Sequence, residues 1–233
     1  MKPVAIIPAR AGSKRLPGKN LAKIGGIPML EILIDQLKKS EKFSRIIVST
    51  DSEEIRNLSI KLGADCDKLR PNHLSNDYAS TQEVIRYEIE TSNINNNSLV
   101  FCFNPASILF LPSDIDEAQR ALQSNSFKFV ISVYQPNSSP LRAFKVSELG
   151  GLQMLYPENY NKRSQDLPKT FNDAGLFYLA VAGDWLNFDL QFNDFATYVI
   201  IPYLRAVDVN YKEDLEMLEL LWKHLSKEKI EIK

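Results

Sequence analysis

One short segment concentrates the residue types that bind polyphosphates. The loop from Ala9 to Asn20 contains two glycines and four cations within a dozen residues. The cations are Arg10, Lys14, Arg15 and Lys19. Glycine lets the backbone approach a ligand and turn its N–H groups inward, while cations neutralise phosphate oxygens. The segment therefore predicts a binding site for a phosphate-rich anion.

The glycine spacing excludes the two commonest phosphate motifs. A Walker loop has four residues between its glycines and a Ser or Thr after its Lys. Here five residues separate Gly12 from Gly18, and Asn20 follows Lys19. The G-x-G-x-x-G pattern of dinucleotide-binding proteins is also absent. The remaining alternative to a phosphate site is a solvated basic loop without a ligand.

A second constellation has the chemistry to recognise a sugar acid. It reads R-S-Q-D-L-P from Arg163, followed by D-A-G-L-F-Y from Asp173. An arginine can bind a carboxylate through two parallel hydrogen bonds. Gln165 and Asp173 offer hydrogen bonds to hydroxyl or acetamido groups. The alternative is an Arg–Asp pairing within the loop itself.

The secondary-structure pattern indicates how these groups are positioned. Short β-branched runs predict strands at 4–7, 45–50, 99–103 and 129–133. Helical patterns begin at Pro28, after Asp51 with Glu54 as capping partner, near Ser80, and at Ser113. This β-α-β-α rhythm predicts an α/β fold whose mostly parallel sheet has helices on both faces. Ligands of such sheets bind beyond the carboxyl ends of the strands, where the Ala9–Asn20 loop lies.

The rhythm is interrupted once, between residues 134 and 172. That stretch is rich in Pro, Ser, Asn and charged residues, and we interpret it as an excursion from one domain spanning 1–233. Strand patterns return at 175–181 and 196–201. A final amphipathic helix carries Leu215, Leu218, Leu221 and Trp222.

Composition excludes several function classes. The net charge of −1 gives no overall field to attract nucleic acid or an anionic membrane. No apolar run approaches the roughly 20 residues of a membrane span, and only a short apolar run follows the initial Met-Lys-Pro, so we expect no leader and a cytoplasmic location. Two cysteines and two histidines are too few for a disulfide scaffold, a zinc site or a histidine-based triad.

The Ala9–Asn20 loop resembles the signature of the CMP-sugar synthetases that activate nine-carbon acidic sugars. Residues 70–81 are similar to the R-P-x-x-L-x-x-D-x-A-S-S segment of that family, and residues 104–107 to its Q-P-T-S. The resemblance runs from residue 4 to about residue 220. It implies a three-layer, Rossmann-like nucleotidyltransferase fold and an enzyme that joins CMP from CTP to an acidic sugar.

The second constellation narrows the resemblance to one branch. R-x-Q-D-L-P is shared with the sialic acid synthetases, whereas R-S-Q-D-L followed by D-A-G-x-F-Y is more similar to the pseudaminic acid cytidylyltransferases. Sialic, legionaminic and Kdo-like acids remain alternative acceptors, and a polyol phosphate would leave this constellation unexplained. In the family the excursion carries homodimer contacts and reaches the neighbouring active site.

The resemblance also implies roles for individual residues. The nucleotide-binding residues would be Ala9, Arg10, Gly12, Ser13, Lys14, Lys19, Asn20, Arg70, Ser80 and Thr81. The sugar-binding residues would be Asn104, Arg163, Gln165, Asp173, Phe177 and Tyr178. Arg10, Lys19 and Asp208 would act in catalysis. For Ser80 and Thr81, capping of the following helix is an alternative role that is compatible with binding.

The metal site departs from the family pattern. The family has D-x-D where this chain has Asp208 and Asn210. Mg²⁺ prefers oxygen ligands and is commonly held by one or two carboxylates together with phosphates and water. Asp208 and Asn210 are therefore the expected Mg²⁺ ligands, with one negative charge fewer than the family pattern. The alternative role for Asn210 is to cap the final helix with Glu213 as capping-box partner. A separate alternative for the whole chain, which Asn210 favours, is a nucleotide-binding protein that has lost catalysis.

Overall fold

The computed structural model describes residues 2–123, 127–189 and 195–231. Six strands form its central sheet: β1 (Val4–Pro8), β4 (Arg45–Ser49), β5 (Leu99–Phe103), β6 (Phe129–Tyr134), β9 (Asn172–Val181) and β10 (Ala196–Ile200). Two small hairpins lie outside this sheet: β2 (Lys23–Ile24) with β3 (Ile27–Pro28), and β7 (Phe144–Val146) with β8 (Leu152–Met154).

The sheet is mostly parallel, as the sequence pattern predicts. Its strand order is β10-β6-β9-β5-β1-β4. β9 runs antiparallel to both β5 and β6, whereas the other neighbouring strands are parallel. The β9 pairing places residues 173–178 close to the ends of β5 and β6.

Helices cover both faces of the sheet. They are α1 (Met29–Lys39), α2 (Glu53–Lys61), α3 (Thr81–Thr91), α4 (Pro112–Gln123), α5 (Ala182–Asn187) and α6 (Lys212–Glu231). Successive strand side chains point to opposite faces: Ala5 and Ile7 of β1 pack with α1, α2, α4 and α6, whereas Val4 and Ile6 pack with α3 and α5. The expected three-layer α/β fold is confirmed. None of the described helices is long and apolar enough to cross a membrane.

Three predicted helix starts need correction. α1 begins at Met29, because Pro28 is still extended as the last residue of β3 and stands at the N-cap position of the helix. The cap of α2 is Ser52, whose Oγ accepts from the Ile55 N–H at 3.3 Å. The carboxylate of Asp51, which the sequence pattern favoured as that cap, accepts from the Ala11 N–H instead, at 2.7 Å. α4 begins at Pro112, one residue before the predicted start, because the fixed backbone of proline suits the first turn of a helix.

The excursion forms an arm between β6 and β9. Tyr134 and Asn172, its predicted ends, pair with each other in the sheet, so the arm comprises residues 135–171 and β9 begins three residues before the predicted Gly175. The β7–β8 hairpin is the arm's regular part, and only Asn159 and Leu167 of the arm are buried. Large apolar side chains of the arm are exposed, among them Phe144, Val146, Leu149, Leu152 and Tyr160.

Candidate active site

The Ala9–Asn20 loop closes over the carboxyl ends of β1 and β5 and encloses a cleft of about 470 Å³. Most of the predicted nucleotide-binding residues line it: Arg10, Gly12, Ser13, Lys14, Lys19, Asn20 and Thr81. Arg15 lines it as well, so all four loop cations face one space. Such a cleft is suited to an elongated polyanion.

One hydrogen bond to β4 and one within the loop hold the loop in place. The Ala9 N–H donates to the Ser49 carbonyl at 2.8 Å, and Asn20 Nδ2 donates to the Arg10 carbonyl at 2.8 Å. Gly18 adopts φ +70°, a left-handed conformation that an L side chain rarely takes. Ala9 is completely buried, so it anchors the loop and does not line the cleft.

Lys19 is the most enclosed of the loop cations with a described ion pair. Its side chain is 16% exposed, and its Nζ lies 3.9 Å from Oδ1 of Asp208. Burial lowers the pKa of Lys19, and the nearby Asp208 carboxylate opposes that shift. At 3.9 Å the Asp208 carboxylate neutralises the Lys19 ammonium group only in part, so the ammonium group can also bind a phosphate.

A carboxylate stands among the loop cations. Asp77 Oδ1 lies 2.9 Å from Arg10 Nη1, and its other oxygen is bonded by Lys14. The hydrogen bonds from Lys14 and Arg10 lower the pKa of Asp77, so the carboxylate stays charged at neutral pH. Sequence reasoning gave Asp77 no role, although it lies inside the 70–81 segment that carries the family resemblance.

A second cavity of about 220 Å³ adjoins the cleft. Arg70 lines it and is only 5% exposed, and Pro8, Arg10, Asp77 and Thr81 line both cavities. Arg70 Nε donates to Ser75 Oγ at 3.3 Å, and burial lowers the pKa of the guanidinium. The arrangement offers a charged planar donor in a cavity that shares lining residues with the cation-lined cleft.

Of the two hydroxyl residues at the start of α3, only Thr81 lines the cavities. Ser80 caps the helix: its Oγ accepts from the Glu83 N–H at 3.2 Å, and Glu83 returns a carboxylate to the Ser80 N–H at 2.7 Å. This capping box fixes the helix start and so the position of Thr81. The capping role of Ser80 is therefore realised in the structure.

The predicted sugar-binding residues separate into three groups. Asn104 and Tyr178 line the cleft. Tyr178 donates its hydroxyl to Asp173, and burial and this carboxylate raise the pKa of the phenol. Phe177 does not reach the cleft: successive residues of a strand face opposite sides, and its ring lies fully buried 5.6 Å from that of Phe101. The expectation that Phe177 contacts the sugar is wrong for its side chain in this structure.

Arg163 and Gln165 lie on the arm and are exposed, outside the cleft of their own chain. Arg163 is paired with Asp166, with 2.8 Å between Nε and Oδ2 and 3.2 Å between Nη2 and Oδ1. The Arg–Asp pairing considered from the sequence is thus present. Both residues are solvent-exposed, so the pair is easily exchanged for another carboxylate.

Of the two predicted metal ligands, Asn210 lines the cleft and Asp208 does not. Asp208 lies beside it at the mouth of the cleft, where Asn210 Nδ2 donates to Asp208 Oδ2 at 2.7 Å. Asn210 does not cap α6 through its side chain, and Glu213 is not the capping partner. Asp214 supplies the cap, accepting from the N–H groups of Asn210 and Tyr211 at 2.8 Å each.

Several lining residues were missed by sequence reasoning. They are Pro8, Asp77, Cys102, Phe103, Pro105 and Gly175. The position of Gly175 has a conformational reason: it adopts φ +64°, which an L side chain rarely takes, and a Cβ there would be in ordinary van der Waals contact with Asp208, 3.4 Å from its Cβ. Its spacing within D-A-G was visible in the sequence, but the approach of Asp208 was not.

Comparison with known proteins agrees with this geometry. A family model described as cytidylyltransferase matches residues 4–230. The pseudaminic acid cytidylyltransferase of Campylobacter jejuni is 32% identical over 225 residues, which cover 96% of this chain and 97% of the relative. The N-acylneuraminate cytidylyltransferase of Escherichia coli is 26% identical over 99% of this chain and 54% of its own length.

A solved structure supports the fold. The CMP:2-keto-3-deoxy-manno-octonic acid synthetase complexed with CTP is similar with a TM-score of 0.71, covering 96% of this chain and 99% of that one at 15% identity. The family match spans nearly the whole sequence, including the cation loop, the Arg70 segment and the arm. The chain belongs to the cytidylyltransferase family.

Proposed function

We propose that this protein is a pseudaminic acid cytidylyltransferase, which transfers CMP from CTP to the C2 hydroxyl of the sugar and releases pyrophosphate. The observation that carries the proposal is the pair of joined cavities, one lined by the loop cations and the other by buried Arg70. The choice of acceptor rests on the Campylobacter jejuni relative and on the R-S-Q-D-L and D-A-G-x-F-Y segments.

In this proposal CTP spans both cavities. Its phosphates lie along Arg10, Lys14 and Lys19, and its base points toward the guanidinium of Arg70, which can donate to ring and carbonyl acceptors. Thr81 lines both cavities, so its hydroxyl stands where the ribose would pass between them. Asn20 holds the Arg10 carbonyl by a hydrogen bond, and the capping box holds the start of α3. These contacts fix the distance between the phosphate end and the base end of the CTP site.

The reaction asks for positioning and charge stabilisation more than for covalent chemistry. The C2 hydroxyl oxygen bonds to the α-phosphorus, the bond from that phosphorus to the bridging oxygen breaks, and pyrophosphate leaves with the electron pair. Arg10 and Lys19 stabilise the growing negative charge. The hydroxyl proton passes to the Asp208 carboxylate, directly or through water.

The residues at the cleft mouth fit Mg²⁺ held mainly by its substrate. Among the described parts of the chain no three His, Cys, Asp or Glu side chains converge to bind a metal. Mg²⁺ is commonly held by one or two carboxylates with phosphates and water, a set that Asp208, the Asn210 carbonyl oxygen and CTP would complete. When bound, the ion would neutralise charge on the phosphates.

The sugar would be held by two chains of a homodimer. Asn104, Asp173 and Tyr178 would contact it from the chain that binds CTP. Arg163 of the partner subunit would reach its carboxylate, and Gln165 of the partner subunit its hydroxyl or acetamido groups. The exposed apolar side chains of the arm support this arrangement, because a surface of that kind is typical of an interface. Few of the arm's side chains are buried within its own chain, and a dimer would bury its exposed apolar side chains.

We place the enzyme in the cytoplasm and expect it to bind neither nucleic acid nor membranes. Its two cysteines, Cys66 and Cys102, are free and buried, as in proteins of a reducing compartment. The net charge of −1 gives no long-range attraction for polyanions.

Pyrophosphate release with CTP and Mg²⁺ tests the proposal across four acceptors: pseudaminic, N-acetylneuraminic, legionaminic and 3-deoxy-manno-octulosonic acid. We expect the highest kcat/KM with pseudaminic acid and no release with UTP. A higher value with another acid would reassign the acceptor. Silence with every acid, while CTP still binds, would favour a nucleotide-binding protein that has lost catalysis, for which Asn210 in place of a carboxylate is the specific indication.

A further inference from the structure

Asp77 is an acidic residue inside a cleft that gathers cations, and the proposed reaction gives it no task. Its two oxygens bind Arg10 and Lys14, two of the cations assigned to CTP. A carboxylate at this position lowers the positive charge that a triphosphate would meet. We therefore expect Asp77 to have a function that offsets this loss of positive charge.

The geometry at Arg10 indicates that Asp77 does not compete with a phosphate. The described contacts of the guanidinium, to Asp77 and to the Asn76 carbonyl at 2.8 Å, both use Nη1. Arginine carries five donors in a planar fork, so Nη2 and Nε are left for a ligand. Asp77 and a phosphate can therefore bind different edges of the same guanidinium, and the carboxylate orients the free edge.

Asp77 itself stands on a rigid support. The Asn76 side-chain oxygen accepts from the Tyr78 and Ala79 N–H groups at 2.8 and 3.0 Å, and its amide donates to the His73 carbonyl at 2.8 Å. The capping box of Ser80 follows directly. The segment 76–80 is thus locked to the start of α3, where Thr81 faces both cavities.

These contacts connect two halves of the CTP site that are far apart in sequence. One half is the Ala9–Asn20 loop, the phosphate loop, and the other is residues 70–81, the nucleoside segment. Arg10 Nη1 contacts both the Asp77 carboxylate and the Asn76 carbonyl, and Lys14 contacts Asp77 as well. These contacts join the two segments. The salt bridges of Asp77 are partly exposed to solvent, so they contribute little to folding.

We propose that Asp77 is a positioning residue for the polyphosphate: it orients Arg10 and Lys14 toward the β- and γ-phosphates and couples the phosphate loop to the nucleoside segment. The proposal rests on the proposed function, since it takes CTP as the ligand. It assigns Asp77 to the binding of the terminal phosphates and not to the binding of cytidine.

Isothermal titration of CTP and CMP into the full chain tests this. Asp77→Asn and Asp77→Ala are compared with wild type, and Asp35→Asn serves as control, because Asp35 forms an exposed ion pair with Lys39 on α1 away from the cleft. We expect both Asp77 variants to lose about tenfold in CTP affinity, the loss typical of a charged hydrogen bond. CMP affinity should stay within a factor of about two, and the control should match wild type for both ligands.

Combining Asp77→Asn with Lys14→Gln adds a second readout. If Asp77 acts through the cations, its substitution costs less once Lys14 has been removed. An equal loss for CMP and CTP would show a general structural role and overturn the proposal. Tighter CTP binding would also overturn it, because Asp77 would then be a competing anion.

The outcome also separates this proposal from the one it rests on. A wild-type chain that binds neither nucleotide would refute the proposed function, and the role of Asp77 with it. Wild-type binding with an unchanged CMP-to-CTP affinity ratio in the Asp77 variants would refute the role of Asp77 alone.

Discussion

The side-chain amide of Asn210 donates to the carboxylate of Asp208, with 2.7 Å between Nδ2 and Oδ2. The carboxylate is therefore held at the cleft mouth by a neutral partner on one oxygen and faces Lys19 Nζ, 3.9 Å away, with the other. The first turn of α6 does not depend on this amide, because Asp214 supplies the cap. Position 210 can thus be changed without removing the helix start.

Asn210→Asp should strengthen the response to Mg²⁺. The substitution places a second carboxylate beside Asp208, and the added charge should lower the Mg²⁺ concentration for half-maximal pyrophosphate release on the order of tenfold. Asn187→Asp, an exposed site on α5, is the matched control. An unchanged or increased Mg²⁺ requirement would show that position 210 does not face the ion.

Lys19→Met should strongly reduce activity and still stabilise the fold. Removing a cation that faces developing charge is expected to lower kcat/KM by about 10²- to 10³-fold. Thermal unfolding should shift upward, because burial disfavours the charged ammonium. Lys39→Met, in an exposed pair on α1, should change neither quantity.

The same pKa shift sets a pH dependence. The pKa of Lys19 is lower in the folded chain than in the unfolded chain, so the unfolded state binds more protons between the two values. Wild-type stability should therefore gain from this residue as pH rises through that window, and the gain should vanish in Lys19→Met. Urea unfolding at several alkaline pH values checks the sign, and a larger pH dependence in the variant would contradict it.

Asp114→Ala should be strongly destabilising. Asp114 and Arg205 form a buried ion pair, with side chains 6% and 11% exposed, and Asp114 also accepts from the Leu111 N–H at 2.8 Å. Breaking such a pair leaves an uncompensated buried charge and costs about 3–5 kcal/mol.

The unfolding free energy of Asp114→Ala from urea denaturation is compared with that of Asp116→Ala. Asp116 lies on the same helix and pairs with Lys42 in a more exposed setting, where the loss should stay below about 1 kcal/mol. Equal losses at the two sites would mean that burial does not govern the pair.

Leu152→Asp should separate the subunits of the proposed dimer. Leu152 is exposed on β8 in the single chain, and a charge there would be buried at an interface formed by the arm. We expect sedimentation to give a dimer for wild type and a monomer for this variant, which should also lose affinity for the sugar but not for CTP. Leu220→Asp, at an exposed leucine of α6, should remain dimeric. A monomeric wild type would refute the dimer.

Much of the architecture follows from local pattern. Four β-branched runs became strands within one residue of their predicted ends, because apolar runs of about four to six residues are too short for a helix and their β-branched and aromatic side chains favour a buried strand. The start of β9 was predicted too late, since Asn172 and Asp173 have no strand propensity and extend β9 only by pairing with Tyr134 and Val133. Tyr134 and Asn172 are 38 residues apart in the chain, so a local sequence pattern does not reveal that they pair.

The family, the cation loop and the placement of that loop after the first strand could be inferred from the sequence, since each depends on residue types at short spacing. Which side chains share the cleft could be read only from the folded chain. The fold turns Phe177 into the core and Tyr178 toward the cleft, sets Asp77 between Arg10 and Lys14, and leaves Arg163 on an exposed arm. Those outcomes depend on strand pairing, register and side-chain direction between distant segments, which the order of residues does not display.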